Sequence, residues 1–364
     1  MNLGVVLPPR HWYESSYVSG FPSHEVTLVT ADVSGISIEG YKVRNTKLRK
    51  YSFIQGILGN VRSLATYDDL SEALRDVDIV VTIELFSSLS KQCASVVAAL
   101  RKKLLVISWE TIHTHPFYRF YPFAGNASYV GRVSDAVVAA TKRSQMHLLR
   151  LGIDPERVTQ IYPGIDTDFF TPAPPRLERR GILFVGVLSA HKGLDDLIRA
   201  FKTLRGTGRS VPDELIVVGD GPMRDAVIGK ESAGIRLFSN LSRNSLRGLY
   251  QSCALFALPS KDVRRLGIRM WEEQFGFSMV EAMACGLPIV STDCGAIPEV
   301  AGEGNVLLPQ GSWRRLAKEL EYMLEQRELM RDVGMDNRRR VKNLFNSRTQ
   351  GNIFRDFVLK RISS

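Results

Sequence analysis

Two glutamates, Glu273 and Glu281, enclose seven residues in the segment Glu272-Glu273-Gln274-Phe275-Gly276-Phe277-Ser278-Met279-Val280-Glu281. A strand-like apolar run at 254–258 and the pair Pro259-Ser260 precede it, and Cys285-Gly286-Leu287-Pro288 leads into another apolar run. Gly286 suits the position just past a helix, so the pattern predicts a short helix over 277–285. First-turn amides of such a helix carry partial positive charge and suit a phosphate. Glu273 precedes the helix and Glu281 lies within it, so the two carboxylates can reach past a bound phosphate on opposite sides. A nucleotide sugar presents hydroxyls at both of its ends, on the ribose and on the sugar.

Alternating strand and helix patterns must position these residues, as in parallel sheets covered by helices. Strand-like runs fall at 3–7, 25–30, 77–83, 104–108, 136–140 and 158–161, then at 182–188, 214–218, 234–238, 254–258, 288–292 and 305–308. Helical periodicity fills stretches such as 88–102, 142–151, 194–204 and 313–324. Between the halves, Thr171-Pro172-Ala173-Pro174-Pro175-Arg176 reads as a stiff linker, because proline fixes φ and withholds a donor. Two α/β halves joined this way create a cleft, and open parallel sheets bind ligands at their carboxyl edges.

The 48 basic residues exceed the 38 acidic ones by ten, a balance that favours polyanionic partners. No helix-turn-helix, zinc-finger or aromatic RNA-binding signature accompanies it, so nucleic acid is not the expected partner. Apolar runs are short, such as Val96-Val97-Ala98-Ala99-Leu100, against the roughly 20 residues that cross a bilayer. The N-terminus does not read as a signal peptide. Cys93, Cys253, Cys285 and Cys294 lie far apart without a C-x-x-C pair, so neither disulfides nor zinc are expected. The expectation is a cytoplasmic protein, at most peripheral on a membrane surface.

The spacing of Glu273 and Glu281 resembles the E-x7-E motif of retaining glycosyltransferases, and Trp271 to Gly276 is similar to the W-x-E-Q-F-G subgroup of family 4. Further similarities keep that family's order: Tyr162-Pro163-Gly164-Ile165-Asp166 before the linker, and Gly186 through Lys192-Gly193 as its G-R-L-x-x-x-K-G loop. Gly219-Asp220-Gly221-Pro222 resembles its G-D-G-P turn, and Gly295 through Pro298-Glu299 its G-G-x-P-E. The resemblance implies the GT-B fold, two Rossmann-like domains facing across a cleft. It places an acceptor-side domain at 1–170, a nucleotide-sugar domain at 171–345, and a last helix, 346–364, packing back on the first domain. The implied activity is retaining transfer of a hexose from a nucleotide diphosphate sugar to a hydroxyl acceptor (a glycan, a lipid-linked or a small molecule), without metal or other cofactor. Glu273 would hold sugar hydroxyls and Glu281 the ribose. Phe275, Gly276, Phe277 and Ser278 would line the donor, Gly186 and Val187 its phosphate loop, and Lys192 would neutralise the leaving diphosphate. A sugar-nucleotide epimerase or phosphorylase of similar fold, and a non-catalytic partner subunit, are the alternatives.

The chain departs from the pattern in places. Val187 stands where the family has arginine, and Pro8-Pro9-Arg10 replaces a glycine-rich turn. Either Glu110 or His113, in Trp109-Glu110-Thr111-Ile112-His113, occupies the place of a family histidine. Between Ser260 and Glu272 lies an insertion carrying Lys261, Arg264, Arg265 and Arg269, from which Arg264 or Arg265 is expected to swing over the diphosphate in place of the missing arginine. The segment 41–67 holds Lys42, Arg44, Lys47, Arg49, Lys50 and Arg62, no acid, and Tyr51, Phe53, Ile54, Ile57 and Leu58. It suits an anionic membrane surface or a phosphate-bearing acceptor, or is an ordinary amphipathic element. Asp166-Thr167-Asp168 reads as structural, and His113 and His115, at i and i+2, do not make a helical zinc pair.

Overall fold

The computed structural model describes residues 1–8, 15–31, 40–49, 64–174, 179–206, 214–229 and 234–362. The chain forms two compact units, Met1–Gly164 with Ser347–Ser364, and Ile165–Asn346. Each is a Rossmann-like parallel α/β unit, the class expected from the strand–helix alternation.

In the first unit, seven described strands lie in the order β3-β2-β1-β6-β7-β8-β9, every pairing parallel. They are β1 (Leu3–Val6), β2 (Val26–Thr30), β3 (Lys42–Asn45), β6 (Ile79–Ile83), β7 (Lys103–Ser108), β8 (Ala136–Ala139) and β9 (Val158–Gln160). A small antiparallel pair, β4 (Leu48–Arg49) with β5 (Thr66–Tyr67), stands apart. β2, β6 and β8 are buried along their whole length, which is why their sequences are continuous apolar or β-branched runs rather than alternating ones. The helix Ser88–Leu100 starts where the Ser87 hydroxyl accepts from the Ser90 amide, and it ends at Arg101 in the left-handed region.

β3 is a correction to the sequence reading, which placed no strand there. Lys42 and Arg44 lie on a sheet edge, and the Arg44 guanidinium donates to the Asp76 carboxylate at 2.7 Å and to the Ala73 carbonyl at 2.6 Å. Cations on an edge strand discourage pairing with other chains. Residues 50–63 of that basic segment, and Pro9 and Arg10, lie outside the described residues.

The helix Ser347–Ile362 belongs to the first unit. Its Phe354 is fully buried against Tyr17 and Phe21, with ring centroids 5.5 and 6.2 Å away. The Ser19 hydroxyl donates to the Ser347 carbonyl, and the Arg355 guanidinium donates to the Gly20 carbonyl.

The second unit orders its sheet β12-β11-β10-β13-β16-β17, again all parallel. Its strands are β10 (Ile182–Val185), β11 (Leu215–Val218), β12 (Ile235–Phe238), β13 (Leu255–Leu258), β16 (Ile289–Thr292) and β17 (Val306–Leu308). In both sheets the strand order reverses direction once, between β1 and β6 and between β10 and β13. Ligands of such sheets bind outside the carboxyl ends at these switch points.

The boundaries also differ from the sequence reading. The units divide at Gly164/Ile165 and Asn346/Ser347, not at 170/171 and 345/346. Residues 165–170 go with the second unit because the Ile165 amide donates to the Phe345 carbonyl, and Arg338 donates to the carbonyls of Thr167 and Phe170. The start of the proline segment is fastened there too, since Gln251 donates to the Thr171 and Pro172 carbonyls. Residues 175–178 of that segment are not among those described. A further departure is an antiparallel hairpin, β14 (Val263–Arg265) with β15 (Ile268–Trp271), where the sequence reading placed an inserted loop.

Candidate functional site

Of the charged residues singled out in the second unit, Lys192 and Glu273 meet beyond the ends of β10 and β13, neighbours in the sheet. The loop after β10 carries Lys192, the loop after β13 carries Ser260, and Glu273 follows the β14–β15 hairpin. Gly193 makes their meeting possible: at φ 72° it approaches so closely that a Cβ there would lie 1.8 Å from the Pro259 carbonyl oxygen. The Lys261 amide then donates to the His191 carbonyl. On the other side, the Gly295 backbone lies against Glu273, where a Cβ would come within 2.1 Å of the Glu273 carbonyl oxygen, and the Ala296 amide donates to that oxygen. Two motif glycines therefore fix the backbones that present Lys192 and Glu273.

The side chains bond to each other. Lys192 Nζ donates to both oxygens of the Glu273 carboxylate, at 2.7 and 3.0 Å, and the Ser260 hydroxyl donates to Oε2 at 2.9 Å. The Lys192 and Glu273 side chains are only 17% and 8% exposed. The ammonium also sits 4.7 Å from the Trp271 ring centroid, a cation–π contact. The His191 ring packs edge-on against the same indole. Burial holds the His191 pKa below its ordinary value, the neighbouring Lys192 charge adds to this, and Glu273 opposes it.

The helix begins at Gly276, as Phe277–Ala284, one residue shorter than expected because Cys285 is its cap. Gly276 is left-handed, and its carbonyl accepts from the Met279 and Val280 amides. Glu281, on this helix, accepts from the Tyr250 hydroxyl at 2.8 Å. Burial pushes its carboxyl up to about 7, against the pull of Tyr250 and of the Arg243 charge. The Phe275 ring is 1% exposed, packed against Phe277 and Phe345, so its side chain supports the helix entry. Phe277 and Ser278 are partly exposed at the helix start.

Gly186 continues the β10 ladder through its amide to the Val218 carbonyl, and the Leu188 amide donates to the Asp220 carbonyl in the G-D-G-P turn. Val187, held between them, is 49% exposed.

Arg264 and Arg265 are not brought to the glutamates. They stand on the exposed arm of the hairpin, with Arg264 donating to the Gly267 carbonyl and 3.7 Å from Asp262. The cation tied to the glutamate segment is Arg269, whose guanidinium bonds Asp262 at 2.7 Å and the buried Glu272 at 2.9 Å. Lys261 is held by Asp195 and Asp196, each at 2.9 Å. Sequence reasoning passed over Ser260 and Tyr250, since a lone hydroxyl carries no spacing signal. The Arg269–Glu272 spacing of i, i+3 was the readable clue to the hairpin's anchor.

In the first unit, both the expected residue Glu110 and an unexpected one, Glu84, accept hydrogen bonds from backbone amides. Glu84 follows β6 at the switch point with φ 63°. Its Oε1 accepts from the amides of Trp109 at 2.7 Å and Glu110 at 3.0 Å, and Oε2 from the Ser108 hydroxyl. Glu110 is buried, and its Oε1 accepts from the amides of Thr111 and Ile112. Burial pushes the Glu84 carboxyl up to about 8, with the Glu110 charge adding to it and the accepted hydrogen bonds opposing it. Of the two candidates, His113 is the exposed one.

Asp166 accepts from the Phe169 amide and lies 3.7 Å from Arg243, a local turn. Among the described residues no group of three or more His, Cys, Asp or Glu side chains could hold a metal, and no helix is long and apolar enough to cross a membrane.

Two family models match the chain: Glycosyl transferases group 1 over residues 167–340 and Glycosyltransferase Family 4 over residues 23–169. The D-inositol 3-phosphate glycosyltransferase of Mycobacterium sp. (strain JLS) is 28% identical over 192 residues. That match covers 47% of this chain and only 40% of the relative's length. Among solved structures, Anabaena HepE in complex with UDP covers 99% of this chain and 100% of its own (TM-score 0.74, 15% identical). A glycosyltransferase from Rickettsia africae covers 100% and 98% (TM-score 0.72, 16% identical). The fold is that of the GT-B glycosyltransferases, and the two family matches, one to each unit, support a glycosyltransferase.

Proposed function

We propose that the chain is a retaining, metal-independent hexosyltransferase that uses a nucleotide diphosphate sugar and a hydroxyl acceptor. The observation that carries this reading is the convergence of Lys192, Glu273 and Ser260 at the β10/β13 switch point, beside the start of the helix Phe277–Ala284. The ammonium and the carboxylate bond each other. A diphosphate entering beside the helix start would take over Lys192 and release Glu273 for the sugar hydroxyls, while Glu281 meets the ribose. Charge on the leaving diphosphate is then stabilised by a preorganised cation and helix amides, with the leaving phosphate taking the acceptor proton in a front-face attack. Catalysis in this scheme is positioning plus electrostatics and needs no enzyme nucleophile.

HepE has been solved with UDP and with UDP-glucose, which makes uridine donors the first to test. The mycobacterial relatives' name makes inositol phosphate a reasonable first acceptor. Four buried, unbridged cysteines suit a reducing, cytoplasmic setting. Val187 favours a second reading, a non-catalytic partner that binds donor weakly, because one expected phosphate cation is missing. Nucleoside diphosphate release decides between them: acceptor-stimulated release from a nucleotide sugar supports the transferase. Donor binding by thermal shift without release, across a panel of donors and acceptors, supports the partner subunit.

A further inference from the structure

The hairpin β14–β15 is closed by Leu266 and Gly267, with φ of 48° and 78°. Two left-handed residues make a type I′ turn, whose first position favours asparagine, aspartate or glycine. Leucine has no short polar group to relieve the strain of that backbone. Its side chain is fully exposed, at 101%, so packing offsets none of the strain, and Ile268 next to the turn is 42% exposed. Arg264 and Arg269 stand opposite each other across the strands, a like-charge pairing that weakens a hairpin. Residues 264–268 are all exposed and contain two arginines and no carboxylate. The base, by contrast, is anchored: Arg269 bonds Asp262 and the buried Glu272, and the Gln310 amide oxygen accepts from the Asp262 backbone.

Each choice at the tip works against the hairpin in isolation. Together they hold an apolar prong, with cationic shoulders, away from the body of the unit. That combination fits the boundary between anionic headgroups and acyl chains, where arginines bond lipid phosphates and a short apolar side chain is buried. A protein partner fits less well, because a stable interface covers about 800 Å² on each side, far more than one turn offers. We propose that the β14–β15 hairpin touches an anionic membrane surface, Leu266 entering the headgroup–acyl boundary while Arg264 and Arg265 bond lipid phosphates. One leucine and two arginines make a brief, salt-sensitive contact rather than a permanent anchor. This inference does not rest on the transferase reading, since lipid binding is measured without donor or acceptor.

All four native cysteines are buried, so Leu266→Cys in the full chain can be labelled selectively with an environment-sensitive fluorophore. The label should brighten several-fold and shift to the blue with vesicles of phosphatidylcholine and phosphatidylglycerol. It should stay unchanged with phosphatidylcholine alone and lose its response as salt rises. Leu266→Asn, which suits the turn, should keep the fold and cut co-sedimentation with the anionic vesicles several-fold. The proposal is overturned by a silent label, whether or not the protein sediments with the vesicles. It is equally overturned if Leu266→Asn sediments like the parent, or if the label responds to protein concentration without lipid, which would indicate a second copy.

Discussion

The two units place glutamates at the same topological position and use them differently. In the second unit, the β10/β13 switch point presents Glu273 to another side chain, Lys192, the contact that the proposed donor would exchange. In the first, the β6 switch point presents Glu84 to backbone amides of residues 109 and 110, and Glu110 takes those of 111 and 112. Four successive amides are thereby bound to two carboxylates, which holds the backbone of residues 109–112. In that proposal Glu273 can change its side-chain partner, whereas Glu84 and Glu110 bond mainly to amides of the segment after β7. Charge and position alone do not tell the two apart.

This contrast breaks most visibly at Lys192. Removing one partner of a buried pair costs about 3–5 kcal/mol because the other charge is stranded. Lys192→Met should therefore be strongly destabilised and lose donor turnover by about a hundredfold or more, as expected when preorganised charge at a leaving group is removed. In Lys192→Met/Glu273→Gln, denaturant unfolding should show most of the stability restored while turnover stays lost. Recovery of turnover in the double variant would mean that the pair is structural, like Glu84.

Glu281 should show its role through pH. Its folded pKa of about 7 lies above that of a free carboxyl, and hydroxyls donate to the ionised form. Nucleoside diphosphate affinity, followed by calorimetry, should rise about tenfold from pH 6 to pH 8, in step with the ionised fraction. Glu281→Gln should bind weakly with a flat profile, and a pH response retained in that variant would assign the titration elsewhere.

A smaller gain is expected at Val187. The side chain is half exposed, so Val187→Arg has room and should raise nucleoside diphosphate affinity about tenfold, the low end for a charge-assisted hydrogen bond. No gain would place the phosphates away from this loop.

The smallest effect sharpens the contrast. Glu84, with a folded pKa of about 8, keeps its proton in the native state over a range where the unfolded chain has lost it. Stability from this group is therefore full below the unfolded value and falls as pH rises through about 8. Glu84→Gln keeps an acceptor for the two amides and should raise Tm by a few degrees at alkaline pH, with nucleoside diphosphate affinity unchanged. A change in that affinity would undo the distinction between the units.

Apart from β3, the parallel strands of both sheets were legible because continuous apolar runs of four to six residues between glycines and helices have few other uses. Lys192, Glu273 and Glu281 were legible as motif residues, but their contacts were not: the Lys192–Glu273 bond depends on the approach of Gly193 to Pro259, a long-range closure without sequence period. β3 escaped notice because Lys42 and Arg44 lie on an edge, where polar residues satisfy a strand as well as apolar ones. Glu84 escaped because a single acid after a strand looks like surface until its partners at 108–110 are known. The hairpin read as a loop because Arg-Leu-Gly carries none of the usual residues of a two-residue turn except glycine.

The return of the helix Ser347–Ile362 to the first unit has a consequence for how the molecule is made. That unit is discontinuous in sequence: Tyr17 and Phe21 wait for Phe354, which a ribosome adds only after the whole of Ile165–Asn346. The second unit is contiguous and can complete its core during synthesis, so the first-begun unit is the last finished, with an apolar patch uncovered in the interval. A chain stalled or clipped before Ser347 would carry its defect at the other end, in the packing around Tyr17, while the unit next to the break stayed whole.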